Sequence, residues 1–399
     1  MQGFLEYLNQ FKNDFGLFWE GILLILGAVI PSMYILVKSF YKKIAIKIRL
    51  RNLTDLEGLN ILRICSATPN YHLNDISIKE TGKKLYIGFP QELKEQVLGH
   101  DRDFSIHEDF SFNGSSSFED IIRKTEIPDL KELIDKHRLI VAEWFVNREN
   151  GCHFNRPKYG VYETKLNSVK GIEEIPEVGM KLFETDYFTH RVFKSIYQEL
   201  KSQQHPISLL TQDNLREGLN KYNSFTTSLG LNALVIADSK EGESIIFSRR
   251  ADGAAHVENK FKYNSTVMEG ISLTDYDPVE KKVSLKQAMD RALNEELGLS
   301  TAHLFKFDQE VCYCDFFLEK NYFEIGITAM VKIDAVFEES IRDLPARDRE
   351  LEISKLVPIA KRKAALEKFI RKETLYPQAL FTLKMICARE MIFLNLKKS

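Results

Sequence analysis

The sequence predicts an α+β chain with a single N-terminal transmembrane helix, and three stretches carry that reading. Leu17–Val37 is an apolar run interrupted by one charge, Glu20. Leu231–Asp238 and Ser244–Arg250 read as strands around a Lys240-Glu241-Gly242 turn. Ser284–Leu299 repeats its apolar residues at helical spacing.

The whole chain sets the limits first. Its 399 residues leave room for two or three domains, and 44% hydrophobic with 28% charged content describes a folded protein with a sizeable core. A net charge of −2 argues against a general nucleic-acid coat, so no DNA or RNA polymer is expected as a partner. Five scattered cysteines (65, 152, 312, 314, 387) point to reduced thiols in a cytosol-like compartment. Cys312 and Cys314 read as core, since nothing nearby supplies the other ligands of a zinc site. The nine histidines show no metalloprotease spacing, and no phosphate-binding glycine loop, nucleophile elbow or paired C-x-x-C is present.

After a short tail, 1–16, the run Leu17–Val37 would extend about 31 Å as a helix, enough for a bilayer core. Lys38, Lys42, Lys43, Lys47, Arg49 and Arg51 follow it, while only Lys12 precedes it. The positive-inside rule then places the N-terminus outside and the remainder in the cytoplasm. Ala28 and Ser32 form a small-residue pair through which such helices could approach one another, and Pro31 is a candidate kink.

Residues 38–205 read as a basic juxtamembrane segment and an α/β linker domain. Leu85–Phe89 and Leu139–Val146 are expected strands; Glu119–Lys124 and Asp129–Lys136 are expected helical pieces. Asp101–Ser117 has the composition of a loop. Thr185 or Asp186 is placed to cap a helix whose Phe193, Ile196, Tyr197 and Leu200 recur at i, i+3, i+4, i+7. Gln203–Ile207 marks the boundary with a C-terminal domain, 206–399. There, Val311–Leu318 and Tyr322–Asp334 read as a hairpin, and Pro377–Met391 as a closing helix.

The 284–299 helix has both ends marked. Ser284 and Gln287 have capping-box spacing, and Gly298 stands where a left-handed cap is wanted. Leu285, Ala288, Met289, Ala292, Leu293 and Leu297 form a core-facing stripe, with Arg291 and Glu295 sharing another face. The order Arg291-Ala292-Leu293-Asn294-Glu295-Glu296-Leu297-Gly298-Leu299 resembles the second half of the Nudix box, R-E-U-x-E-E-x-G-U. Tyr263–Gly270 stands where that family places the opening glycine, with about seven extra residues before Arg291. The resemblance implies a C-terminal α/β/α sandwich.

One departure decides how the resemblance is read. Where the family pattern has its first helical glutamate, this chain has Ala292, and only Glu280 offers itself as the upstream acid. Glu295 and Glu296 remain as metal ligands if hydrolase activity is retained; otherwise they are a solvated helix face paired with Arg291. No cofactor is expected, except Mg²⁺ in an active hydrolase. Ala346–Ile359 resembles the late strand region of the family, with Glu350 or Glu352 near its distal metal acid.

The resemblance also implies a ligand pocket beside the box. Arg249 and Arg250 offer forked donors for phosphates, or are simply a solvent-facing strand end. Asn264, Ser265 and Thr266 can read base or sugar edges, and Phe261, Tyr263, Tyr313 and Phe317 are either stacking platforms or core. Anchor, linker and degenerate box together are similar to the membrane-anchored Nudix effectors of CBASS, cyclic-oligonucleotide antiphage signalling in bacteria. That resemblance implies a homo-oligomer in the cell inner membrane whose cytoplasmic part binds a cyclic nucleotide and whose anchors then disrupt the lipid bilayer. A membrane-tethered Nudix hydrolase of nucleoside-diphosphate compounds and a scaffold for a protein partner are the other two readings.

Overall fold

The computed structural model describes residues 58–65, 76–98, 104–168, 176–251, 261–307, 309–346 and 353–394, together with 3, 6, 10, 33–41 and 44. Its strands are β1 (Ile61–Cys65), β2 (Ile76–Lys84), β3 (Pro157–Ser168), β4 (Pro176–Asp186), β5 (Leu229–Ser239), β6 (Gly242–Arg250), β7 (Tyr263–Asn264), β8 (Val267–Gly270), β9 (Tyr276–Asp277), β10 (Lys282–Val283), β11 (Gln309–Glu319), β12 (Glu324–Val336) and β13 (Ile353–Ala360). The longer helices are α1 (Leu130–Asn147), α2 (Tyr187–Ser202), α3 (Leu285–Leu297), α4 (Lys363–Lys372) and α5 (Pro377–Arg389).

The main sheet has eight strands in the order β1-β11-β12-β5-β6-β13, with β7 on β6 and β8 on β5. Pairing is antiparallel except where β12 meets β5, from Ile325↔Leu229 onward. The near-continuous apolar run of β5 fits a central strand buried on both faces. Leu231, Ala233, Val235 and Ala237 join the core that holds α3, while Leu234 and Ile236 join the core built by α4 and α5. Helices therefore cover both faces of the sheet.

This sheet divides at one edge of β5. Gly230–Ala233 pair with β8, while Val235–Ser239 pair with β6. The chain between β7 and β8 enters the fork, and the Thr266 hydroxyl closes it. It accepts from the Val235 amide at 2.9 Å and donates to the Ile246 carbonyl, supplying a partner to each strand where the ladder is interrupted.

The chain before 206 is not a separate layer. β2, β4 and β3 form their own sheet, and α1 packs against α2 beside it. β1, however, is the edge strand of the main sheet, with Ile61 opposite Glu319. β3 meets the loop after β8, where Lys158 bridges to Ser272 and the Tyr159 amide donates to the Ile271 carbonyl at 3.3 Å. One hydrophobic cluster runs from α1 and α2 through β5 to α3.

Leu85–Phe89, expected as a strand, forms none, only an isolated bridge from Tyr86 to Phe110. Two further expectations are corrected. Leu139–Val146 is no strand: it is the second half of α1, continuing the piece expected at Asp129–Lys136. Leu130, Leu133, Ile134, His137, Val141, Ala142 and Phe145 are its buried residues, a stripe of helical period spanning both pieces. The second correction concerns the transmembrane helix. Among the described residues no helix is long and apolar enough to cross a membrane. Of Leu17–Val37, only 33–37 are described, within an exposed helical stretch, 33–41, while 17–32 lie outside the described residues. The single-pass inner-membrane placement drawn from that helix is withdrawn with it.

Candidate functional site

α3 is built as its sequence indicates at both ends. The Ser284 hydroxyl accepts from the Gln287 amide at 3.2 Å. Gly298 takes φ +74, and its amide and that of Leu299 fold back on carbonyls of the last turn. A Cβ at Gly298 would stand 2.2 Å from the Pro345 carbonyl oxygen, so the position needs glycine for space as well as for φ. The six stripe residues are all buried.

Arg291 is the centre of the assembly. Its Nε and Nη2 reach the two Asp275 carboxylate oxygens, both at 2.9 Å. Nη2 also donates to the Gly270 carbonyl at 2.7 Å, and Nη1 to Glu269 at 3.2 Å and Glu295 at 3.0 Å. All five N–H groups of the guanidinium are thus directed into the protein. Burial pulls its pKa down, but Asp275, Glu269 and Glu295 outweigh that and hold it above the ordinary arginine value. Arg291 ties the β8 end, the following loop and α3 into one unit.

Asp275 and Glu269 were not singled out in the sequence. Asp275 is 1% exposed and takes the upstream acid's place against Arg291, whereas Glu280 is exposed and pairs with Lys282. The extra residues form the small β9–β10 hairpin, with Asp277 opposite Lys282. That hairpin hid the signal: a carboxylate lay close after Gly270, but the displaced spacing favoured Glu280.

These residues do not fit the metal that the box implies. Ala292 is fully buried and offers no ligand, and Asp275, Glu269 and Glu295 each commit an oxygen to Arg291. Glu296 is 4% exposed and accepts from the Met268 amide at 3.4 Å. Among the described residues no group of three or more His, Cys, Asp or Glu side chains is arranged to hold a metal ion. Glu350 and Glu352 lie outside the described residues.

The expected ligand residues divide into three sets. Arg249 and Phe261 are together at the surface, the guanidinium 5.5 Å from the ring centre and its Nε donating to the Phe261 carbonyl at 3.3 Å. Tyr263 and Phe317 are core: Tyr263 stands edge-on to Phe369 at 4.9 Å, and Phe317 packs on Phe381 at 5.0 Å. Tyr313 is partly buried, its hydroxyl bonded to the Leu285 carbonyl at 2.9 Å. The third set lies at the strand fork. Thr266 is taken up by backbone, as above, and Arg250 is buried on the same face as Ser248 and Asn264. Asn264 has no exposure, yet neither its amide oxygen nor its nitrogen has a partner. The Ser265 hydroxyl beside it is also buried without a partner, while the orphaned Asn232 amide oxygen belongs to the opposite face of the sheet, that of Leu234 and Ile236.

Beside the box loop sits a basic group that the sequence did not announce. Lys158 Nζ lies 3.9 Å from the place of a Cβ on Gly270 and donates to the Ser228 hydroxyl at 2.8 Å. Burial, against the pull of Glu324, brings its pKa down to about 8. Glu324 is shared by Lys194 at 2.8 Å and His190 at 3.4 Å. These groups come from β3, α2 and β12, so only the tertiary fold assembles them.

No protein-family model matches the chain, and no curated protein does. Among solved structures it is similar to the Nudix domain of Shewanella oneidensis NrtR in complex with ADP-ribose. The two share 11% identity and a TM-score of 0.25, over 41% of this chain and 86% of that one. A MutT/Nudix family protein from Enterococcus faecalis is similar at 12% identity and a TM-score of 0.22, over 33% of this chain and 43% of that one.

Proposed function

We propose that the 206–399 part is a Nudix-like unit that binds a nucleotide derivative at the fork of its sheet and does not hydrolyse it. The observation that carries this reading is Asn264, buried with neither amide atom partnered, beside the unpaired Ser265 hydroxyl. Each buried donor or acceptor left without a partner costs about 1–3 kcal/mol, a strain that a base or ribose edge would relieve. Arg250, on the same face as Asn264, places a cation beside them. The box supports binding over turnover, because its arginine and three of its acids hold one another. The finer form of the reading is that the ligand is a cyclic nucleotide second messenger and the chain an effector of CBASS signalling. No membrane step is included.

Titration calorimetry on the full chain with ADP-ribose and a panel of cyclic di- and trinucleotides tests this. The decisive variant is Asn264→Leu. Without ligand it is expected to be as stable as the wild type or more so, because it removes two orphaned polar atoms, while affinity drops about tenfold or more. Loss of stability with unchanged affinity would overturn the site. Steady Mg²⁺-dependent phosphate release that disappears in Glu295→Gln would favour the hydrolase, and binding of no nucleotide would favour the protein scaffold.

A further inference from the structure

A polar cavity lies away from the box, among β2, β3, the short helix Glu119–Thr125 and the turn at Asn223 and Ser224. It encloses about 160 Å³, and its walls include Lys83, Lys124, Tyr162, Asp120 and Ser224. The two ammonium groups stand 5.2 and 5.4 Å from the centre of the one Tyr162 ring. Among the described residues neither makes a close ion pair: Lys83 reaches the Phe112 carbonyl and Lys124 the Asn220 amide oxygen, each at 3.4 Å, and Glu163 attracts Lys124 less than burial and Lys83 oppose its charge. Burial, then repulsion from Lys83, lowers the Lys124 pKa. Two like charges sharing a partly desolvated cavity destabilise each other unless an anion joins them.

The remaining wall groups indicate which anion. Ser224 is 1% exposed, and its hydroxyl has no partner; one Asp120 carboxylate oxygen is also buried and unpaired. The cavity therefore offers two cations, one free hydroxyl donor and one acceptor that needs a proton from its guest. Halide or sulfate would leave Asp120 repelled. A phosphate monoester carries three strong acceptor oxygens and, near its second pKa of about 6, a proton to donate. A larger cavity of about 450 Å³ shares the Tyr162 wall and is lined by Thr164, Arg216 and Asn220 among others. Its size falls in the usual range for small-molecule sites.

We propose that this cavity is a binding site for the phosphate of a small soluble phosphate monoester, with the rest of the ligand crossing Tyr162 into the larger cavity. The site is independent of the box and of the fork. Titrations of the full chain with inorganic phosphate and with ribose 5-phosphate, followed by ³¹P NMR, test it. Both are expected to saturate, the sugar phosphate at lower concentration because it fills more of the groove. Lys83→Gln with Lys124→Gln should weaken both by about a hundredfold, and Ser224→Ala by about threefold to tenfold. Unchanged affinity in the double variant, or no saturation in the wild type, would overturn the proposal. If the double variant does not fold, ¹³C-dimethylated Lys124 in the wild type decides. Its pKa must rise as phosphate binds, and a Lys124 titration indifferent to phosphate removes the site.

Discussion

Arg291 is held by bonds to Asp275, Glu269, Glu295 and the Gly270 carbonyl. Lysine keeps its charge but not its planar fork, so Arg291→Lys would leave Asp275, at 1% exposure, without its paired bonds. We expect Arg291→Lys to lower unfolding stability by about 3–5 kcal/mol in urea titrations, the loss typical of a broken buried ion pair. A stability within about 1 kcal/mol of wild type would mean the pairs contribute little. His190 makes a pH prediction. Burial, then the Lys158 ammonium, lowers it to about 3, while the unfolded imidazole titrates near 6.5. The unfolded chain thus binds the additional proton throughout that interval. The contribution of His190 is complete above about pH 6.5 and is lost as pH falls toward 3. His190→Gln should flatten the decline of the melting temperature over this range. An equally steep decline in the variant would remove His190 as its source.

At the scale of elements, the fork depends on a hydroxyl where the sequence showed only a polar residue between two short strands. Thr266→Val keeps the shape and removes both backbone bonds, leaving the Val235 amide and Ile246 carbonyl unpaired. The expected loss is about 2–4 kcal/mol, with faster amide exchange confined to β5, β6 and β8 in hydrogen-exchange mass spectrometry. Uniform loss of protection would point to general destabilisation instead. Much of this level was legible beforehand, because caps and periodicity are local. Ser284, Gly298 and the α3 stripe are where the residues placed them, and Asp186 caps α2 by accepting from the Thr189 amide at 2.7 Å. What was illegible depends on distant partners. A mostly apolar run such as Leu139–Val146 shows no difference between strand and helix until the stripe is extended back to Leu130. The unpaired state of Asn264, like the meeting of Lys158 with Gly270, is a property of the packed sheet and of no sequence window.

For the whole molecule, the shared core and the crossing of β1 and β3 predict one cooperative body. Calorimetry of the full chain should give a single main transition for the described parts, with equal calorimetric and van't Hoff enthalpies. Residues 206–399 expressed alone lack the edge strand β1 and expose the box-loop face covered by β3; they are expected to bind hydrophobic dye and to melt without cooperativity. A sharply melting 206–399 fragment would show the units to be separable.

The position of β1 also has a consequence in time. Its partner strand, β11, lies far down the chain: Asn60, just before β1, bonds to Asn321, 261 positions later. At about 5–20 residues per second, roughly 13–50 s of translation separate the two. Throughout that interval the ribosome displays an apolar strand, Ile61–Cys65, whose edge has nothing to pair with. β2, β3 and β4 are complete much earlier and can collapse around α1 and α2. β1 therefore cannot complete its ladder until β11 has been made, and until then its apolar edge is open to any strand that can pair with it.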